Sequence, residues 1–395
     1  MTVANSSSKI IYADNAATTK LDDDAAALMF DLQKNFFANP SSSYKLARPL
    51  KKILRESREK IAACINAEPH EIFFTSGGTE SDNHAIKSVA LAHLSERPNI
   101  ITSAVEHKAV LNSCAAMKNL GCTVTILPVD RFGAVKPADL HEKILPSTKI
   151  ISVVFANNEV GTIQPIETLA DIAHAAGKIF HTDAVQAVGH IPVDVKFSGA
   201  DMLSASAHKF NGPKGIGFLY VRDGVELPPY IDGGAQEFSR RAGTENIPAI
   251  AAMALALEKN CRDMNTNATN VAACTKILLD CLRDNGVDFI LNGGENRLPG
   301  HLSLSFKDCD GEALMHRLDL KNICISTGSA CNSRQIKISH VLQALAIPEN
   351  YIRGTIRVTF GKENSCDDAK TIGKHLINCH VFKSLLKSFR KEVIV

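Results

Sequence analysis

The sequence predicts an α/β protein with a mostly parallel central sheet, followed by a second, smaller domain. Two observations carry that prediction. From Ile72 to Val221, short apolar runs alternate with helical patterns, and strands that alternate with helices pair in parallel through crossovers. Beyond Arg222 the alternation stops. Polar, glycine-bearing loops lead into a long helical region near Ile247 to Asn285, and then into mixed strands and helices. A length of 395 residues leaves room for two or three domains.

The chain opens with the short apolar start Ile10-Ile11-Tyr12 and a polar turn through Asp14, Asn15 and Thr19. A helical pattern from Asp22 to Asn35 follows, with Asp22, Asp23 and Asp24 in its first turn, where the helix dipole favours negative charge. Asn39-Pro40-Ser41-Ser42-Ser43 reads as a turn before a basic amphipathic helix from about Pro49 to Cys64. Ile72-Phe73-Phe74 is a short buried strand that runs into Thr75-Ser76-Gly77-Gly78-Thr79. The two glycines allow a ligand to approach the backbone closely. Thr79 is expected as the N-cap of a helix from Glu80 to Leu94, with Asp82 in capping-box position. A strand, a glycine turn and a helix N-terminus together offer free N–H groups to a phosphate.

Further strands are expected at Ile100–Thr102, Val124–Val129, Ile150–Ala156 and Ile179–Asp183, with helices opening near Val105, Pro137 and Ile166 between them. Ser204, Ser206 and His208 alternate with Ala205 and Ala207, so a strand there would aim three polar side chains at one face. Lys209 closes that run, and an apolar strand from Ile216 to Val221 follows a Gly/Pro turn. The second domain reads as strands Asp288–Leu291, Leu302–Phe306 and Thr355–Phe360 with helices near Gly311–Asp319, Ser339–Ala346 and Asp367–Arg390. It also holds a loop of small residues, Ser326 to Ser333, with Cys331 near its middle.

Composition narrows the classes. A net charge of +2 gives no broadly basic face, so direct nucleic-acid binding is not expected. No apolar run reaches membrane-spanning length, and the Ser-rich start carries no apolar signal core. The 11 cysteines are odd in number and include no C-x-x-C, which argues for a reducing compartment and against a disulfide framework or zinc site. We therefore expect a cytoplasmic protein with no resident metal.

His107, Asn158, Asp183 and Lys209 all fall at or just after strand ends, where ligands bind in such sheets. A lysine in a partly desolvated pocket has a lowered pKa and can form a Schiff base. With the Asp183 carboxylate on a neighbouring strand and a helix N-terminus for phosphate, the set describes a pyridoxal phosphate site. Gln186 could then donate to the ring hydroxyl and His107 lie over the ring or move protons. Ser206, His208 and Thr79 are the candidates for phosphate. Cys331, in a loop with little packing mass, is expected to be an exposed thiolate that collects sulfur as a persulfide.

The runs Tyr12 to Thr19, Asn39 to Ser42, Thr75 to Asn83, Glu106-His107-Lys108, Asn157-Asn158-Glu159, Asp183 to Gln186, Ser204 to Gly217, Arg241 to Asn246 and Gly328 to Cys331 together resemble cysteine desulfurases of the NifS/IscS-like kind. These are pyridoxal phosphate enzymes of fold type I in the class V aminotransferase group. The resemblance spans Tyr12 to about Lys362. It implies a large domain with a seven-stranded type of sheet over residues 21–255 and a smaller α+β domain over 256–395, with residues 1–20 packing against the latter.

The resemblance also implies Lys209 as the cofactor lysine, His107 on the ring, Asp183 on the pyridinium, Gln186 on the phenolic oxygen and Asn158 in contact with cofactor and substrate. Gly78, Thr79, Ser206 and His208 would hold the phosphate, joined by Thr244 from the other subunit of a homodimer. Asn39 and Arg357 would take the carboxylate of L-cysteine, and Cys331 the sulfur, with a transient iron–sulfur ligand role also open to it. Acceptor proteins, such as iron–sulfur scaffolds or thiolation enzymes, would receive the persulfide for iron–sulfur cluster assembly, tRNA thiolation or sulfur modification of DNA. The alternatives are a selenocysteine lyase or other β-lyase on the same fold, and a non-catalytic sulfur-transfer adaptor. Tyr44, Ala47, Ile338 and Lys362 depart from the family's usual His, Gly, Pro and Arg, which bears on the choice of acceptor and not on the catalytic set.

Overall fold

A computed structural model describes residues 9–327 and 338–392. The first two elements of its chain after β1 (Ile11–Tyr12) are α1 (Asp23–Asn35), capped by the Asp22 side chain, and α2 (Arg48–Cys64). The alternating part then runs β2 (Ile72–Thr75), α3 (Gly78–Ala92), β3 (Asn99–Ser103), α4 (Lys108–Asn119), β4 (Thr123–Leu127), α5 (Pro137–Lys143) and β5 (Thr148–Ser152). It continues through α6 (Ile166–Ala175), β6 (Ile179–Asp183), the single turn α7 (Val195–Ser198), β7 (Met202–Ser206) and β8 (Gly217–Val221).

These eight strands less the first form one seven-stranded sheet in the order β2-β8-β7-β6-β5-β3-β4. All neighbours are parallel except β8, which runs antiparallel to both β2 and β7. Successive residues of a strand face opposite sides, and here both sides are covered. Ile101, Ile151, Leu203 and Phe218 pack in a core that also takes Ile61 of α2, whereas their neighbours Ile100, Ile150, Met202 and Leu219 pack with α3 and α4. That two-sided burial explains the apolar runs and leaves only strand ends for polar chemistry.

After the short turn α8 (Gln236–Ser239), the expected single helical region divides at Asp263 into α9 (Ile247–Arg262) and α10 (Met264–Asp284). The remaining elements are β9 (Phe289–Asn292), β10 (His301–Phe306), α11 (Gly311–Asp319), β11 (Ile323–Cys324), β12 (Ser326–Thr327), α12 (His340–Ala344), α13 (Glu349–Ile352), β13 (Thr355–Thr359) and α14 (Cys366–Glu392). Strands β12-β13-β10-β9 form an antiparallel sheet, and β1 pairs with β11 in parallel. The opening segment is thus tied to the C-terminal part through Ala13, whose carbonyl accepts from Thr359 N–H at 2.8 Å. Among the described residues no helix is long and apolar enough to cross a membrane.

Three local expectations need correction. The helix after the glycine turn starts at Gly78 with Gly77 as its N-cap, so Thr79 lies inside it and caps nothing. Gly77 adopts φ 145°, a conformation that favours glycine, and the Glu80 carboxylate accepts from Ser76 N–H at 2.8 Å in place of a hydroxyl cap. Strand β5 ends at Ser152, four residues before Ala156, because the chain leaves the ladder there and follows β6 irregularly. Phe155 N–H still donates to Asp183 O at 2.8 Å. Strand β7 ends at Ser206, and Ala207 to Lys209 form a 3-10 turn, so His208 does not share a strand face with Ser204 and Ser206.

Candidate active site

The C-terminal ends of β6 and β7, the start of α3, the start of α4 and the segment Ala16–Thr18 enclose a cavity of 590 Å³. Each wall has a local cause. The 3-10 turn after β7 carries Lys209 off the strand line, and Nζ donates to Ala16 O at 2.6 Å and Ala17 O at 2.9 Å. Gln186 Nε2 donates to the same Ala16 carbonyl at 2.9 Å, so one backbone oxygen of the opening segment orders two site residues. His208 reaches Thr18, which lines the same cavity, with Nδ1 3.1 Å from its hydroxyl.

Burial and the nearby Arg357 charge lower the Lys209 amine from its ordinary value to about 8. The free amine, which is the nucleophile, therefore rises through about pH 8 and not through the range of an exposed lysine. Pyridoxal phosphate uptake by the cofactor-free protein, followed by absorbance, should accelerate with pH along that midpoint; acceleration only near the ordinary lysine value would contradict it.

Asp183 ends β6 almost fully buried, and its carboxylate accepts Val185 N–H at 3.0 Å. Burial raises its pKa, while His107, the Val185 N–H and Lys209 oppose the rise. His107 is the N-cap of α4, its Nδ1 accepting from Ala109 N–H at 3.2 Å, which leaves the other face of the ring to the cavity. Burial, with Lys209 and Lys214 nearby, lowers His208 to about 4, so it is a neutral hydrogen-bonding group at pH 7.

The opposite wall is built by β13. Arg357 is only 8% exposed; it donates to Asn158 O at 2.9 Å and to the Asp14 carboxylate at 2.8 Å. Its Nε–H is buried without a partner. An unsatisfied guanidinium donor at a cavity wall is the group a carboxylate would satisfy.

The structure brings together Gly78, Thr79, His107, Asn158, Asp183, Gln186, Ser206, His208, Lys209 and Arg357 on one cavity. Asn39 and Thr244 stand apart from that cavity. Asn39 is exposed and accepts from Ser41 N–H at 2.8 Å, and Thr244 is exposed on the loop after Arg241. Arg241 pairs with Glu80 at 2.9 Å and holds that loop beside the start of α3. Cys331 lies outside the described residues. Of the family departures, Tyr44 is exposed, and Lys362 pairs with Asp22 at 3.3 Å beside a separate cavity.

Sequence reasoning missed the Ala16 and Ala17 carbonyls, the buried Asp82 and the buried Glu106. Backbone acceptors leave no signal in residue type. Asp82 and Glu106 sit in the same quoted motifs as Thr79 and His107 but looked like helix-start residues. Asp82, His107 and Asp183 have ligand atoms within 4.8 Å of one another, the spacing of a cation site. The Lys209 and Arg357 charges on the same cavity speak against a metal ion there.

The donor set fits pyridoxal phosphate. A poised amine, a buried carboxylate and the uncompensated N–H groups that open the 15-residue α3 meet on one side of the cavity. Gly78 is needed at that helix start, since a Cβ there would lie 2.5 Å from Val185 Cγ2.

Comparisons with known proteins agree. The family model for "Aminotransferase class-V" matches residues 11–372. "Cysteine desulfurase IscS" of Methanosarcina thermophila is 43% identical over 372 residues, covering 92% of this chain and 90% of that protein. The solved structure named "NIFS-LIKE PROTEIN" superposes with a TM-score of 0.89 at 34% identity, covering 95% of this chain and 100% of that one. "SspA in complex with cysteine" superposes with a TM-score of 0.80 at 36% identity, covering 89% of this chain and 99% of that one.

Proposed function

This chain belongs to the aminotransferase class-V family, and from that premise we propose how its own residues carry out cysteine desulfuration. It is a pyridoxal phosphate-dependent cysteine desulfurase of fold type I. The observation that supports our residue assignment best is the meeting of the Lys209 amine, the Asp183 carboxylate and the start of α3 in one cavity, faced by the orphaned Arg357 Nε–H.

Asp183 would hold the cofactor at its ring nitrogen, Gln186 at the phenolic oxygen, and Thr79, Ser206 and His208 with the Gly78 backbone at the phosphate. His107 and Asn158 would bracket the ring. When bound, pyridoxal phosphate supplies an aldehyde and an electron-withdrawing ring that stabilises negative charge on the substrate's α-carbon. Lys209 Nζ takes and returns the α-proton, a task its lowered pKa suits at near-neutral pH. His107 handles a second proton at the cavity mouth.

Arg357, with Asn158 on the same cavity, would hold the carboxylate of L-cysteine, a contact from which the exposed Asn39 stands apart. Removing the guanidinium with Arg357→Ala should raise KM for L-cysteine by about 10- to 100-fold, the worth of a charge-assisted hydrogen bond. Arg357→Lys should recover only part of this, because an ammonium lacks the planar fork. Steady-state kinetics with an unchanged KM would remove Arg357 from substrate binding.

Sulfur leaves on Cys331. The C–S bond of L-cysteine breaks, an S–S bond forms at the thiolate, and L-alanine departs, so a thiol plus cysteine gives a persulfide plus alanine with atoms balanced. We assign the product to acceptor proteins of iron–sulfur assembly or thiolation, in the cytoplasm. The enzyme acts as a homodimer in this reading. Thr244 fits it, being exposed and outside its own chain's cavity, as a residue that serves a second subunit's phosphate would be. The direct test is conversion of L-cysteine to L-alanine by the reconstituted protein, with stoichiometric sulfide released by a reductant. Alanine-free incubation would overturn the proposal.

A further inference from the structure

A buried polar chain lies behind Asp183 that the mechanism above does not use. His181, two residues earlier on β6, has no exposed surface; its Nδ1 lies 2.9 Å from Ser152 Oγ and its Nε2 3.0 Å from Ser204 Oγ. Asp82 Oδ1, from α3, is 3.8 Å from that same Nε2. The Ser204 hydroxyl near Asp82 works against the rise in its pKa that burial causes. Burial lowers His181 to about 3, so the ring is neutral and carries one donor and one acceptor.

Asp82 is 1% exposed and its Oδ1 has no hydrogen-bond partner. It nonetheless reaches the cofactor cavity, within 4.8 Å of Asp183 and His107. Two carboxyls this close and this buried cannot both ionise cheaply. Asp183 has the Val185 N–H, Lys209 and His107 to stabilise an anion, whereas Asp82 has Ser204 and a neutral imidazole. Burial and the Asp183 charge push Asp82 well above the usual carboxyl range. Glu106, the third acid of this region, is raised by burial to about 8 and is bound to Ser103 and Val154 N–H.

We propose that Asp82 is a positioning residue for the cofactor ring: buried within 4.8 Å of Asp183, with its Oδ1 unpartnered and His181 beside it, it keeps the negative charge on Asp183, the carboxylate assigned to the ring nitrogen. The inference rests on the pyridoxal phosphate reading above and deepens it. Asn copies a neutral carboxyl, and Ala removes the group altogether. The groups that face this pair are His181 and Ser204 from the sheet, Glu106 and His107 before and at α4, Lys209 after β7, and Arg357 across the cavity.

The test compares Asp82→Asn and Asp82→Ala, loaded and cofactor-free. At neutral pH Asp82→Asn should hold its cofactor absorbance and turnover within about threefold of wild type. Asp82→Ala should lose about tenfold in kcat with KM unchanged, and its visible band should titrate about one pH unit away from wild type. A merely structural residue would not move that midpoint. In the cofactor-free protein, buried acids with raised folded pKa values weaken the fold as pH rises, so wild-type Tm should fall as pH climbs above the ordinary carboxyl range and fall less in Asp82→Asn.

Three results would overturn the proposal: an Asp82→Ala enzyme with wild-type midpoint and kcat, an Asp82→Asn enzyme as damaged as Asp82→Ala, or identical Tm profiles. Wild-type protein that takes up no pyridoxal phosphate would sink the underlying cofactor reading as well. Normal loading of wild type beside an unaltered Asp82→Ala sinks this inference alone.

Discussion

Lys209→Ala should abolish desulfuration, with L-alanine formation from L-cysteine down by at least about 10³-fold. The size follows from two duties resting on one nitrogen. In our proposal Lys209 Nζ is the amine that a carbonyl cofactor would join, and it would also be the base at the substrate's α-carbon. Its setting is costly to keep: burial and Arg357 both disfavour the ammonium, and the Ala16 and Ala17 carbonyls hold the side chain in the cavity. Borohydride reduction of loaded wild type, followed by peptide mapping, should place the pyridoxyl label on Lys209. A label on another lysine, or turnover retained in Lys209→Ala, would end the assignment. Stability should respond in the opposite sense. Removing an amine that is disfavoured as a cation should raise, or leave unchanged, the Tm of the cofactor-free protein below about pH 8.

Cys331→Ser should separate binding from sulfur release. The variant should load cofactor and show the wild-type visible band, because the change leaves untouched Lys209, Asp183 and the other described residues that line the cavity. It should release no sulfide from L-cysteine with a reductant, a loss of at least about 10²-fold, since a hydroxyl is a far weaker nucleophile toward sulfur than a thiolate. Mass spectrometry of wild type after a single turnover should find one added sulfur on the peptide carrying Cys331. Full sulfide release by Cys331→Ser, or added sulfur on a different cysteine, would remove Cys331 from the reaction.

Legibility in the sequence followed the range of the forces involved. The sheet was readable because β3, β5, β6 and β7 are buried on both faces, and two-sided burial writes itself as short apolar runs. The residues at the ends of those runs were readable for the same reason, since His107, Asp183 and Lys209 interrupt apolar stretches with groups that need partners. Local details went astray where a single backbone conformation decided them. Gly77 moved the helix start and took the cap from Thr79. The 3-10 turn at Ala207 swung His208 toward Thr18.

Other features depend on pairing between distant parts of the chain. Asp82 reads as one more acid in a helix's first turn until α3 packs against β6 and β7, which puts it behind Asp183. Ala16 has no side chain to announce a role, yet its carbonyl orders both Lys209 and Gln186 once β1 is seated beside β11. Resemblance assigns Arg357 to the substrate carboxylate, but only β13 sets it across the cavity with one N–H left over.

By itself, then, the sequence determined the α/β class, the strand ends where chemistry could gather, and the amine, acid and imidazole that gather there, because residue type and spacing encode burial and hydrogen-bonding capacity directly. Only the tertiary structure decided which polar groups share a dielectric environment, how far each proton affinity is pushed, and which donors are left unpaired. Those quantities arise from distances between segments far apart in the chain, as between Asp14 and Arg357, 343 positions away, and no local pattern carries them.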